Sequence, residues 1–217
     1  MRTDYEVKVL LRKMLGYDDV VIFEIGANKG KDTLEFVDVF PACEICAFEP
    51  DPSNFEYLND ALWSCLLPQE LKNVHPFPIA VSNKNGFAEF TPSKNSGLSG
   101  SLKTPKEHLS VYPDVEFGDK IEVSTTTLDR FVEMAGIKEI DIVHMDVQGA
   151  ELEVFEGGKN TFANKVKYIF TEFSKTELYE GAPTLEQILE ALPEFELEEI
   201  SWQWEHDGNA LLKRKGL

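Results

Sequence analysis

Two short segments constrain this chain more than any other part of it. Phe23-Glu24-Ile25-Gly26-Ala27-Asn28-Lys29-Gly30 completes the apolar run that starts at Val21, and Asp146-Val147-Gln148-Gly149-Ala150-Glu151 follows the run from Ile140 to Met145. Each run has the length of a buried strand. Each is followed by residues at helical spacing, Leu34, Phe36 and Val37 after the first and Leu152, Val154 and Phe155 after the second. Strand, glycine turn, helix is the unit with which open α/β sheets build a ligand crevice at the carboxyl ends of their strands. Two such turns, with Glu49 between them in the chain, predict one shared crevice.

The remaining pattern supports that class. Val7, Leu10, Leu11, Met14 and Leu15 predict an amphipathic helix within residues 1–18. A second strand runs from Ile45 to Phe48, and Ser53 is placed to cap a helix carrying Phe55, Leu58 and Leu62. Val74 to Val81 predicts a strand made irregular by Pro76 and Pro78, and further strands are expected at Gly86 to Thr91, Lys120 to Thr126 and Val166 to Phe170, the last ending at Thr171-Glu172. Leu128, Phe131, Val132 and Ala135 predict a helix, Gly157-Gly158 closes another, and Thr184 opens a third. Asp207-Gly208, flanked by two strand-like runs, predicts a hairpin. Repeated βα units that finish in a hairpin indicate one α/β domain over residues 1–217, with a mostly parallel sheet and an antiparallel C-terminal edge. Residues 92–119 are rich in Ser, Gly, Pro and Lys, and a loop of that length in a compact domain is either functional or poorly ordered.

The formal charge of −18 repels phosphate backbones and anionic lipid, so neither nucleic acid nor a membrane is an expected partner. A neutral or cationic small molecule meets no such barrier. No apolar stretch approaches the ~20 residues of a membrane span, and the first residues lack the layout of a secretory signal, so a cytoplasmic location is expected. Cys43 and Cys46 have C-x-x-C spacing, but on one strand they face opposite ways and are expected to be reduced core residues.

The first turn reads Glu-x-Gly-x-x-x-Gly, without the third glycine that receives a pyrophosphate. A carboxylate beside it repels phosphate and tolerates an ammonium or a sulfonium. S-adenosylmethionine carries both cations and no phosphate. Glu49, at the end of the second strand, stands where α/β nucleoside sites place a ribose-binding acid. Asp146 ends a strand at the same edge and has three open roles: receiving a substrate proton, holding the cofactor's amino group, or ligating a divalent cation (Mg or Mn). An N-cap of the next helix is a structural alternative. Glu172 ends the following strand in the same way and could complete an oxygen-rich acid, base or metal site with Asp146. His144 shares the face of Asp146 and is a candidate base or a core histidine. His75, His108 and His206 form no recognisable triad. The loop 92–119, with Trp202, Trp204, Tyr179 and His206, is the expected substrate wall. A nicotinamide-dependent oxidoreductase and a non-catalytic cofactor-binding module remain alternatives.

Phe-Glu-Ile-Gly-Ala-Asn-Lys-Gly at 23–30, Ala-Phe-Glu-Pro-Asp-Pro at 47–52, Thr-Thr-Leu-Asp at 126–129 and Asp-Val-Gln-Gly-Ala-Glu-Leu-Glu-Val-Phe-Glu-Gly-Gly at 146–158 together resemble the FkbM-type methyltransferases, in order and in spacing. That resemblance implies a seven-stranded, Rossmann-like class I methyltransferase sheet and S-adenosylmethionine-dependent O-methylation of a sugar, glycan or natural-product hydroxyl, a deoxysugar such as rhamnose among them. It implies cofactor contacts at Glu24, Gly26, Asn28, Gly30, Glu49, Pro50, Ala80, Val81, the Ser99 to Ser101 segment and Asp146. The chain departs from the family's usual pattern at Gln148, where Glu is usual, and at His144, where Lys is usual.

Overall fold

The computed structural model describes residues 2–94, 97–201 and 205–217. Helix α1 (Asp4–Leu15) starts at a capping box, in which the side chains of Thr3 and Glu6 each accept the other's backbone N–H. It stops at Gly16, whose φ of 77° an L side chain would resist. There follow β1 (Val21–Ile25), α2 (Lys31–Val39), β2 (Glu44–Phe48), α3 (Pro52–Cys65), the single-turn α4 (Pro68–Leu71) and β3 (Val74–Phe77). The middle of the chain holds β4 (Ala80–Val81), β5 (Gly86–Phe90), the short α5 (His108–Val111), β6 (Ile121–Thr126) and α6 (Leu128–Ala135). The last third is β7 (Ile140–Met145), α7 (Glu151–Gly157), α8 (Lys159–Asn164), β8 (Val166–Ser174), α9 (Leu185–Ala191), β9 (Phe195–Ser201) and β10 (Asp207–Arg214).

Seven strands form one sheet in the order β3-β2-β1-β7-β8-β10-β9. It is parallel from β3 to β8, and β10 is antiparallel to both β8 and β9. All six residues of β7 are buried, as befits a central strand covered on both faces. One apolar cluster joins Phe23, Val143 and Ile169 to residues of α6, α7 and α9; the other joins Ile22, Ile142 and Phe170 to residues of α1, α2 and α3. Cys46 belongs to the first and Cys43 to the second, but Cys43 precedes β2 and does not share its strand; burial pushes both thiols up to about 12. From β1 the chain builds outward through β2 and β3, then returns to lay β7 on the other side of β1. The switch point, where such sheets open a crevice, therefore lies between β1 and β7.

Three local expectations are corrected. The run from Val74 to Val81 divides at Pro78 into β3 and β4, and β4 joins β5 and β6 in a separate three-stranded sheet. Pro76 is tolerated because β3 lies at the sheet's edge. Helix α3 is capped by Asp51, which accepts from the amides of Ser53 and Asn54, and not by Ser53; Pro52 fits the first helical position because it has no N–H to orphan. Asp207 and Gly208 lie inside β10, paired with Ser174 and Phe173 of β8, and so are strand residues and not the turn. Among the described residues, no helix is long and apolar enough to cross a membrane.

Candidate functional site

The two glycine turns touch. Gly26 has φ +93°, and a Cβ built on it would lie 1.9 Å from the carbonyl oxygen of Asp146. Only glycine permits both that conformation and that approach. The amides of Gly26 and Ala27 both donate to the Phe48 carbonyl at 2.9 Å, and that of Asp146 donates to Ile25 at 3.0 Å, so β1, β2 and β7 end together. Asn28 follows at φ 51°, and its amide donates to Glu49 Oε2 at 2.8 Å, while Asp51 N–H donates to Oε1 at 2.8 Å. Burial raises the Glu49 carboxyl to about 7 even against these two bonds.

A cavity of about 780 Å³ opens over this junction. Gly26, Asn28, Glu49, Pro50, Ala80, Val81, Asp146, His144 and Glu172, all expected at the site, line it. At its centre Gln148, held at φ 53°, points its Nε2 donor between two carboxylates, 2.7 Å from Asp146 Oδ1 and 3.2 Å from Glu172 Oε2. Burial pushes Asp146 up to about 6, against the Gln148 bond that favours its charged form. Burial and then the Asp146 charge hold Glu172 well above the usual carboxylate range. Both carboxyls are thus shifted toward their protonated forms. Asp146 is not a helix cap: α7 begins five residues later, and the turn is clipped instead by buried Glu151, whose Oε1 accepts from the amides of Val147 and Gly149.

His144 lies against the rings of Phe36 and Phe170, at 5.5 and 5.4 Å, with its Nδ1 buried and unpartnered. Burial lowers it to about 4, so it is a neutral imidazole at physiological pH. From the long loop, Gly97 to Gly100, Leu102, His108, Tyr112 and Val115 line the cavity. The side-chain amides of Asn28 and Asn54 both hold the Gly97 carbonyl, Tyr179 OH donates to the Ser99 carbonyl at 2.8 Å, and Ser101 Oγ donates to the Gln148 carbonyl at 2.7 Å.

Three expected contacts do not line the cavity. Glu24 is fully buried on the α2 side of β1, where Thr33 Oγ1 donates to its Oε2 at 2.6 Å and its Oε1 has no partner; burial raises it to about 8. Gly30 serves packing, since a Cβ there would meet Leu58 Cδ1 at 2.8 Å. Ser101 supports the second turn from behind, whereas its neighbours Ser99 and Gly100 do line the cavity. His206 Nδ1 sits 3.3 Å from Thr176 Oγ1, outside the wall, and Trp202 and Trp204 lie outside the described residues. Tyr179 is buried behind the wall. Among the described residues, no group of three or more His, Cys, Asp or Glu side chains is arranged to hold a metal. Of the two carboxylates expected to hold a cation, Asp146 Oδ1 and Glu172 Oε2 each accept from the Gln148 amide.

Sequence reasoning missed His108, Tyr112, Asp207, Asp32, Asp4 and Asn209, all of which line the cavity. His108 could have been found from its place in the long loop, and Asp32 from the first turn of the helix after the glycine turn. Asp4 and Asn209, near opposite ends of the chain, carry no local signal. Their side chains meet at 3.2 Å only because α1 docks beside β10.

Comparison with known proteins agrees with this geometry. The chain is 40% identical over 190 residues, 85% of its length and 75% of the relative's, to the 2-O-methyltransferase NoeI of Sinorhizobium fredii. It is 26% identical over 172 residues, 79% of its length and 63% of the relative's, to the hexuronic acid methyltransferase AglP of Haloferax volcanii. In fold it is similar to a methyltransferase FkbM from Methylobacillus flagellatus, with a TM-score of 0.59 at 12% identity over 98% of this chain and 56% of that one. It is equally similar to the magnesium protoporphyrin IX methyltransferase ChlM of Synechocystis, solved with bound SAM, with a TM-score of 0.59 at 8% identity over 97% of this chain and 77% of that one. The fold is thus that of the class I methyltransferases. Residues 24–198, from the first glycine turn to the last edge strand, match the sequence profile of the methyltransferase FkbM domain, and the chain belongs to that family of enzymes.

Proposed function

We propose that this methyltransferase uses S-adenosylmethionine to methylate a hydroxyl of a sugar or sugar-bearing acceptor. The observation that carries the reading is the convergence of Asn28, Glu49 and Asp146 on one cavity at the sheet's switch point. The residues fit that cofactor. Each Glu49 oxygen accepts one backbone N–H and keeps a free lone pair, which suits two neighbouring ribose hydroxyls. Phe48, Pro50, Ile79, Ala80 and Val81 offer an apolar slot for a flat base. The carboxylate lining favours a sulfonium and an ammonium, and the turn lacks the third glycine of a pyrophosphate cradle, which counts against a nicotinamide dinucleotide. About 780 Å³ lies within the ~300–1,000 Å³ of small-molecule sites and leaves room for an acceptor. The names of the two relatives supply the sugar acceptor and the oxygen.

S-adenosylmethionine, when bound, supplies a methyl group already activated by its sulfonium. The chain's own tasks are then alignment, exclusion of water and removal of one proton. Asp146, the ionised member of the carboxylate pair, accepts the proton that the acceptor hydroxyl gives up as the new carbon–oxygen bond forms. Gln148 holds both carboxyls in place. Neutral His144, two residues before it, lines the same cavity as Asp146. The 97–101 segment, tied to both turns, shields the centre from water.

Incubation with methyl-labelled S-adenosylmethionine and a panel of glycosides tests the reading. Label is expected on a sugar oxygen, and Asp146→Asn is expected to lower kcat by about 10²–10⁴-fold. Binding of NAD without binding of S-adenosylhomocysteine would overturn it.

A further inference from the structure

The two ends of the cavity differ in chemistry. The apolar slot stands at the ends of β2 and β3. Asp4, Asp32, Asp207 and Asn209 stand at the other end, on α1, α2 and β10. From β2 to β10 the sheet spans four strand spacings, roughly 19 Å at ~4.8 Å each. A nucleoside in the apolar slot therefore leaves the second end free for another ligand.

That end is built as well as acidic. His144 and His108, 7% and 2% exposed, both line the cavity with a buried, unpartnered Nδ1. Asp4 Oδ1 accepts from Ser201 Oγ and Asn209 Nδ2, both at 3.2 Å, and Asp207 Oδ2 is 3.4 Å from Tyr112 OH, so these carboxylates are held in place. Two lysines line the same cavity, Lys29, whose ammonium lies 5.3 Å from the centroid of the Tyr57 ring, and Lys31, which is 79% exposed and 3.6 Å from Glu35, and Lys175 stands near Asp207. The buried Lys8 ammonium is taken up by Asp32 and Glu35. A bound cofactor with net charge of about +1 leaves most of this negative field standing.

We propose that this second end is the acceptor subsite and that it selects a sugar bearing no carboxylate or phosphate, with an amino substituent favoured. The inference rests on the methyltransferase reading above and narrows its acceptor. A uronate or a sugar phosphate would set its anion among the carboxylates of Asp4, Asp32 and Asp207. Hydroxyls and an ammonium instead find carboxylate acceptors. On this chemistry the chain differs from its hexuronic acid methyltransferase relative.

The test titrates methyl glycosides of a neutral hexose, a 2-amino-2-deoxyhexose and a hexuronic acid into the full chain loaded with S-adenosylhomocysteine, at neutral pH and low salt, with ligand-observed NMR as the readout. The amino and neutral sugars are expected to bind at least about tenfold more tightly than the uronate. Asp207→Asn and Asp4→Asn are each expected to narrow that gap by about threefold or more. A uronate that binds as well as the neutral sugar, variants that leave the ratio unchanged, or no binding by any glycoside would overturn the inference. Calorimetry of S-adenosylhomocysteine on the same protein reads the cofactor assignment separately. If that ligand fails to bind, the cofactor reading falls, and the glycoside ranking is still measured on the cofactor-free chain.

Discussion

Gly26 and Gly30 look alike in the sequence, four residues apart in one motif, yet they do different work. Gly26 lets the first turn lie against the Asp146 carbonyl, whereas Gly30 makes room for a leucine of α3. Gly26→Ala is expected to force the two turns apart and abolish S-adenosylhomocysteine binding in calorimetry, together with a loss of thermal stability, because the obstacle is backbone at 1.9 Å. Glu49 carries a pH signature. Burial keeps it protonated up to about pH 7 in the free protein, while ribose hydroxyls need its ionised form. Binding must therefore release a proton. Affinity should rise as pH climbs through about 7, and calorimetry in buffers of different ionisation enthalpy should detect the release. Glu24 bears instead on stability. Its folded pKa of about 8 lies above the ordinary 4.5, so the folded chain keeps a proton that the unfolded chain has shed. The stabilisation is complete below about pH 4.5 and is lost as pH rises through about 8, to the extent of a few kcal/mol. Glu24→Gln should flatten the fall in melting temperature over that window. At this scale the sequence marked Glu24 correctly as a carboxylate beside the turn, but not the side of the strand on which it would lie.

The elements make the site through their ends. Helix α1 is not a peripheral addition: its Lys8, 0% exposed, reaches Asp32 and Glu35 on α2, and its Asp4 enters the cavity. Burial works against the Lys8 ammonium, but the two carboxylates outweigh it and hold its pKa above the ordinary value. Lys8→Met should destabilise the chain by about 2 kcal/mol in chemical denaturation, less than the ~3–5 kcal/mol of a fully buried pair, because Asp32 and Glu35 are 32% and 23% exposed. A Lys8→Met/Asp32→Asn/Glu35→Gln triple variant should recover part of that loss. Helical periodicity made α1 legible, since Val7 and Leu11 are its buried apolar positions. Its docking was not legible, because a lysine at a helical position reads as a solvated charge until another helix supplies its partners.

For the whole molecule, net charge and cavity chemistry act together. With −18 overall and an acidic cavity, a cofactor of net positive charge is drawn inward. Stopped-flow association of S-adenosylmethionine should slow several-fold as ionic strength rises from about 0.02 to 0.3 M, where the screening length falls below ~10 Å. A rate insensitive to salt would show that the acidic wall does not steer entry.

The sequence by itself determined the strands, most helices, both glycine turns and the crevice between them, because strand burial, helical periodicity and positive-φ glycines are local properties written in neighbouring residues. Tertiary structure alone decided which side chains meet across that crevice. It set the closure of the Gln148 amide on Asp146 and Glu172, the retreat of Glu24 beneath the first turn, the buried, unpartnered Nδ1 atoms of His108 and His144, and the meeting of Asp4 with Asn209. The physical reason is common to all of these: desolvation and hydrogen-bond partners are set by groups distant in the chain, so a residue's charge and its exposure to a ligand exist only once the sheet has brought the strand ends together.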